Sequence, residues 1–124
     1  MTDAKKAPTK PDYSDLKAVF INCTLTPSPS FSHTGCLMDV VRKIMEDAGA
    51  TVESFRSVDH DIAPGVYPDM TEHGFDSDAW PEISKAVMAS EILVIGTPIW
   101  LGEVSSECRK IIERLYAHSG ETND

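Results

Sequence analysis

The chain has 124 residues, room for one compact domain, and its composition, 41% hydrophobic and 25% charged, supplies enough apolar material for a core. Eleven basic against twenty acidic side chains give a net charge of −9, which repels a nucleic-acid backbone and an anionic membrane surface. The longest apolar runs, Ala18 to Ile21 and Ile92 to Ile95, fall far short of the roughly 20 residues that cross a bilayer, so neither nucleic acid nor membrane is expected as a partner.

Residues 1–14 are polar, rich in Lys and Pro and without periodicity, and read as a disordered leader. They lack the apolar stretch of a secretory signal, so a cytoplasmic location is expected. The folded domain is expected over 15–120, followed by a polar tail at 121–124. Lys17-Ala-Val-Phe-Ile-Asn22 is a continuous apolar run suited to a strand buried on both faces of a parallel sheet. After a loop rich in Ser, Pro and Thr, the segment from Gly35 to Ala48 places Leu37, Val40, Val41, Ile44 and Ala48 at helical spacing. That stripe is the expected core face, and Gly49 sits where a glycine ends a helix. Thr51 to Val58 is a weaker strand without clean alternation, as at a sheet edge. Asp59 to Ser77 is a long polar connection with Pro64, Gly65, Pro68 and Gly74. Asp78 as N-cap and Pro81 in the first turn introduce a second helix with Trp80, Ile83 and Val87 on one face. Ile92 to Thr97 reads as another doubly buried strand. From about Ser105 a third helix shows Cys108, Ile111, Ile112 and Leu115 at helical spacing. The order βαβαβα builds a parallel sheet with right-handed crossovers.

Cys23, Cys36 and Cys108 show no CxxC spacing, so they suggest neither a disulfide framework nor a zinc site, and they read as small buried hydrophobes. No metal site is expected. Asp59-His60-Asp61 and the surroundings of His73 read as solvated turns, and His118 as a residue placed by the dipole at a helix end. GxGxxG and GxxxxGK[ST] are both absent, which removes the main evidence for dinucleotide-binding and nucleotide-hydrolysing P-loop readings.

Ligands of open parallel sheets bind outside the carboxyl ends of the strands, where neighbouring strands send their helices to opposite faces. Asn22 to Thr34, which follows the first strand, is crowded with hydroxyls at Thr24, Thr26, Ser28, Ser30, Ser32 and Thr34. With the N–H groups and the dipole at the following helix start, these can hold a phosphate without a Lys or Arg. Gly96-Thr-Pro-Ile-Trp-Leu-Gly102, after the third strand, offers glycines for close backbone approach, a stiff proline and the aromatic face of Trp100.

Ala18-Val-Phe-Ile-Asn-Cys-Thr24, Ser32-His-Thr34 opening a helix, Gly49 ending it, and Ile95-Gly-Thr-Pro-Ile-Trp-Leu-Gly-Glu-Val-Ser105 together resemble the flavodoxin-like NAD(P)H-dependent FMN reductase family, over roughly Leu16 to Tyr116. The resemblance implies an α/β, flavodoxin-like three-layer sandwich with a parallel sheet, FMN as cofactor and NAD(P)H as electron donor to a small-molecule acceptor. It implies Thr24, Ser32, His33 and Thr34 at the phosphate, and Pro98, Ile99, Trp100, Leu101 and Gly102 along the flavin ring. No catalytic side chain is implied, since the flavin carries the chemistry. The sequence departs from relatives that read Gly-Ser-Pro-Arg in the first loop, having Cys23-Thr24-Leu25-Thr26 and no Arg there. Leu101 stands where a second aromatic is often found. The absence of cysteine from Asp59 to Asp78 excludes an iron–sulfur cluster by that route.

Such sheets have five strands, and only the first three are evident, so the fold is expected to be truncated after its third βα unit. The third strand would then present an apolar edge, and the expectation is either a homo-oligomer, formed through that edge, or a fragment of reduced stability. Besides an FMN-binding NAD(P)H-dependent oxidoreductase of the flavin or quinone reductase type, two other functions fit: a flavodoxin-style one-electron carrier, and a truncated non-catalytic fragment acting as an interaction module.

Overall fold

The computed structural model describes residues 12–119, and the remainder of the expected leader and the tail lie outside them. β1 (Lys17–Asn22) is the central strand of a parallel sheet ordered β2-β1-β3, with β2 at Thr51–Arg56 and β3 at Ile92–Gly96. Lys17 to Asn22 pair in register with Thr51 to Arg56 on one side, and Ala18 to Asn22 with Ile92 to Gly96 on the other. Being paired on both edges and covered on both faces, β1 has Ala18, Val19, Phe20 and Ile21 fully buried, as its unbroken apolar run requires. Its side chains alternate between two cores. Ala18 and Phe20 meet α1 (His33–Asp47) through Met38 and Met45. Val19 and Ile21 meet α2 (Trp80–Met88) and α3 (Ser106–Tyr116) through Trp80, Ile83, Cys108 and Ile111. The result is three layers: one helix, the sheet, and two helices.

α1 begins and ends as its sequence dictates. Ser32 caps it by accepting the Gly35 N–H at 3.0 Å, and Gly49, just beyond its end, takes φ +100°. Its buried face, however, is not the one expected. Leu37, Val40, Val41 and Ile44 are exposed, Leu37 to 73%, while Met38 is the residue buried against the sheet. The helix carries apolar residues on two sides, and only the Met38 and Met45 side has a cover among the described residues. β3 is likewise half-buried throughout rather than doubly buried, because it is an edge strand.

Within the expected leader, Tyr13 donates its N–H to the Ala48 carbonyl at 2.8 Å, tying this stretch to the end of α1. β2 ends at Arg56, and a single 3-10 turn at Ser57–Asp59 follows it.

The connection from His60 to Asp78 has a short 3-10 segment at Met70–His73 and is otherwise irregular, yet Ile62, Ala63 and Met70 are buried. It is held by the Asp78–Arg114 pair, whose side chains are fully buried at 2.8 Å. Arg114 also donates to the carbonyls of Ala63 (2.6 Å), Tyr67 (3.0 Å) and Pro68 (3.2 Å). Asp78 accepts the N–H groups of Ala63, Met70 and Trp80. Asp78 therefore does more than introduce a helix. α2 starts one residue after Ala79, which occupies the N-cap position without a side-chain cap. Burial acts to raise the Asp78 pKa, but the Arg114 guanidinium and the three N–H donors outweigh it and hold the carboxyl below its usual range. His118 is buried as well, and its Nε2 accepts the Trp80 indole N–H at 2.9 Å.

Removing one partner of a buried pair strands the other charge, at about 3–5 kcal/mol. Arg114→Met is expected to lower unfolding free energy by about that much in urea denaturation. Adding Asp78→Leu should not restore it, because three N–H groups lose their acceptor. A loss below about 1 kcal/mol, the median worth of an exposed pair, would show that the connection is held by other means.

Candidate functional site

The carboxyl ends of β1 and β3 are adjacent, Asn22 lying opposite Gly96. Beyond them the chain leaves β1 toward α1 on one face and β3 toward α3 on the other, so this is the point in the sheet where a cleft opens. Cys23 donates its N–H to the Gly96 carbonyl at 2.8 Å, extending the pairing by one step. Ser105 Oγ donates to the Cys23 carbonyl at 2.7 Å and accepts the Cys108 N–H, capping α3. Thr97 Oγ1 accepts the Ser105 N–H at 3.0 Å. The start of the first candidate loop and both ends of the second are thus joined in one network.

Gly96 is required by close approach. A Cβ there would lie 2.3 Å from Met38 Sδ, 2.8 Å from Met38 Cγ and 3.1 Å from Thr34 Cγ2. Its absence lets the first turn of α1 settle over the end of β3.

In the first loop Asn22 joins the two ends: its Oδ1 accepts the Thr24 N–H at 3.0 Å and its Nδ2 donates to Ser32 Oγ at 3.3 Å. Thr24 and Ser32 are buried and hold the loop's shape, Thr24 Oγ1 accepting the Thr26 N–H. The N–H groups of Leu25, Phe31, Ser32, His33 and Thr34 have no acceptor among the described residues. The last of these lie at the start of α1, where helix geometry points orphan N–H groups outward along the axis. His33 is exposed and packs edge-on against Phe31, ring centroids 4.8 Å apart. The arrangement suits an anion held by backbone donors and the helix dipole.

The second loop is a β-hairpin, not a plain loop. β4 (Ile99–Trp100) pairs antiparallel with β5 (Glu103–Val104), Ile99 facing Val104 and Trp100 facing Glu103. Leu101 and Gly102 form the turn with φ +53° and +74°, the signs of a two-residue type I′ turn. A leucine in this region is strained by about 1–2 kcal/mol. Leu101 is fully exposed, Ile99 and Trp100 are largely so, and Pro98 is half-buried. The hairpin holds Pro98 to Gly102 as an apolar surface beside the first loop.

Sequence reasoning missed Asn22, Arg56, Asp59, Thr97 and Ser105, whose roles depend on partners distant in the chain. Asn22 alone carried a local signal, as a polar residue closing an apolar strand. A hollow of about 330 Å³ between α1 and the end of β2 is lined by Asn22, Ser28, Met38, Arg56, Asp59 and His60 among others, so that of the candidate phosphate hydroxyls only Ser28 reaches it. Burial, reinforced by neighbouring Cys108, pushes the Cys23 thiol up to about 12, which leaves it a packing residue. Among the described residues no group of three or more His, Cys, Asp or Glu side chains is placed to hold a metal ion, and no helix is long and apolar enough to cross a membrane.

This flavodoxin-like architecture agrees with comparison to known proteins. Residues 16–124 match the profile of the NADPH-dependent FMN reductase family, and the chain belongs to that family. It is 36% identical over 105 residues to 8-demethyl-8-aminoriboflavin-5'-phosphate synthase of Streptomyces davaonensis, covering 81% of this chain and 41% of the synthase. It is 47% identical over 123 residues to the divalent metal cation transporter MntH of Mycobacterium bovis, covering 99% of this chain and 18% of the transporter. The crystal structure of RosB with bound 8-demethyl-8-formylriboflavin-5'-phosphate aligns with a TM-score of 0.72 at 36% identity, over 81% of this chain and 42% of that one. The chain therefore spans less than half of each of these relatives.

Gly96→Ala tests the junction. Overpacking of this kind costs about 1–3 kcal/mol, and a loss of that size in urea denaturation is expected. An alanine variant as stable as the parent would mean that Met38 yields without displacing α1.

Proposed function

We propose that this chain binds FMN at the β1/β3 junction and serves an NAD(P)H-dependent oxidoreductase. The phosphate would lie on the Thr24 to Thr34 loop, near Ser32, His33 and Thr34, and the isoalloxazine along Pro98, Ile99, Trp100, Leu101 and Gly102. The observation that carries this reading is the set of uncommitted N–H groups at the start of α1 beside an exposed apolar hairpin, both anchored at Cys23 and Ser105. Family membership and the bound riboflavin 5'-phosphate derivative of RosB support it. Bound FMN would supply the redox chemistry, taking electrons from a reduced nicotinamide and delivering them to a small-molecule acceptor. The chain's own part is to bind and orient: backbone N–H groups fix the phosphate, Trp100 offers a face to the ring, and Leu101, held at positive φ, keeps the turn tight. No side chain at the junction is required as acid, base or nucleophile.

Titration of the full chain with FMN, followed by flavin fluorescence, is expected to show quenching at micromolar concentrations. Trp100→Ala should raise the Kd about 2- to 10-fold, the range for loss of one aromatic contact of 0.5–1.5 kcal/mol. Absence of quenching at high micromolar FMN would remove the proposal for this chain and favour the interaction-module reading.

We further propose that a second copy covers the outer edge of β3 and the exposed α1 stripe. Ile92 to Gly96 contain no charge or proline to discourage edge pairing, and Leu37, Val40 and Ile44 lie exposed on the helix that flanks the same sheet. Sedimentation is expected to show a dimer that Leu37→Lys with Ile44→Lys converts to monomer without loss of helicity. A parent chain that is already monomeric at tens of micromolar would exclude it.

A further inference from the structure

The candidate phosphate loop is held from outside by the end of β2, and we propose that Arg56 positions it for a phosphorylated flavin in preference to the unphosphorylated one. This rests on the FMN reading above. Arg56 Nη1 donates to the Thr26 carbonyl at 2.9 Å and to the Ser30 carbonyl at 2.8 Å, so one nitrogen joins the two limbs of the loop. Three residues further on, Asp59 accepts the Ser28 hydroxyl at 2.5 Å and the Ser28 N–H at 2.8 Å. Those Ser28 bonds hold the Asp59 carboxyl below its usual range. Pro27 and Pro29 have no N–H to contribute, and between Thr26 and Ser30 the one backbone bond internal to the segment is Ser30 N–H to the Pro27 carbonyl, at 3.0 Å. Its form is therefore set largely by Arg56 and Asp59.

The clamp bears on phosphate in two ways. A phosphate dianion is repelled by carbonyl oxygens and attracted by N–H groups. Binding the Thr26 and Ser30 carbonyls to a guanidinium neutralises two oxygens at the mouth of the loop, next to the uncommitted N–H groups of Phe31 to Thr34. The second is charge. The loop has no Arg or Lys from Asn22 to Thr34, and Arg56 is the guanidinium hydrogen-bonded to it. Nε and Nη2 of Arg56 have no hydrogen-bond partner among the described residues, and the side chain lines the hollow beside Asn22 and Ser28. Asp39, Asp59 and His60 line the same hollow, so the cation has carboxylates beside it there.

The test compares FMN with riboflavin, which differ only in the phosphate, in the full chain and in Arg56→Met and Arg56→Lys. The parent should bind FMN at least about 10-fold tighter than riboflavin, the scale of a charge-assisted contact. Arg56→Met should weaken FMN about 10-fold while leaving riboflavin within about twofold, and Arg56→Lys, which keeps the charge and donors, should recover part of the preference. Equal weakening of both flavins would show general loosening and overturn the proposal. Unchanged FMN preference in Arg56→Met would overturn it while leaving the FMN site intact. Binding of neither flavin by the parent would overturn the FMN reading and this inference together.

Discussion

At the candidate site the start of α1 is seated where β3 carries no side chain. Gly96 ends β3 directly beneath the first turn of α1, and a side chain there would occupy the space of Met38 and approach Thr34. Because the space is open, the positive end of the α1 dipole comes to lie over the β1/β3 junction, with uncommitted N–H groups at the helix start. The same junction launches the hairpin. Cys23 bonds Gly96, Ser105 bonds Cys23, and Thr97 bonds Ser105, so a donor-rich helix start and an apolar hairpin share one foundation. Two loops more than sixty residues apart in the chain are placed relative to each other by strand pairing and by the hydrogen bonds of Cys23 with Gly96 and Ser105.

The opposite layer solves a different problem. The irregular backbone from His60 to Asp78 is anchored to the domain at Ile62, Ala63 and Met70, and buried carbonyls without donors are costly. Arg114 meets this by spending its donors on Ala63, Tyr67 and Pro68 as well as on Asp78. A buried ion pair adds little net stability against a hydrophobic replacement, because desolvation offsets attraction. Its effect here is geometric: it fixes a segment that has no ladder of its own, and through Asp78 it seats the start of α2, which carries Trp80 into the core. The two helices behind the junction are thereby fixed relative to the sheet.

The sequence disclosed whatever was encoded locally. β1 was legible from Lys17 to Asn22 because a doubly buried strand needs no partner to be recognised, and the ends of α1 were legible from Ser32 and Gly49. The inner face of α1 was not. Its longer apolar stripe, Leu37 to Ile44, fits helical periodicity better than Met38 and Met45 do, and periodicity cannot say which stripe has a cover. The hairpin was hidden because two-residue strands show no alternation and the turn uses Leu101-Gly102 where Asn-Gly is the usual signal. Arg114 looks like any solvated cation of a helix, and Asp78 like a simple cap, because their link spans 36 residues. The positions of the two candidate loops were legible from where strands end. The residues that shape them, Asn22, Arg56, Asp59 and Ser105, were not, since each acts across a fold that had yet to be assembled.

A chain of net charge −9 is at first sight a poor host for a dianion. Distance resolves this. At physiological ionic strength charges separated by more than about 8 Å are largely screened, so most of the surface carboxylates act weakly on the junction. What a phosphate would meet there is the helix start, backbone N–H groups in direct reach, and loop carbonyls already engaged by Arg56. The global charge would act on approach rather than on the bound state, slowing encounter at low salt and less so as salt rises. Affinity for a phosphate at the junction would then be a local property, set by a handful of backbone groups rather than by the net charge of the chain.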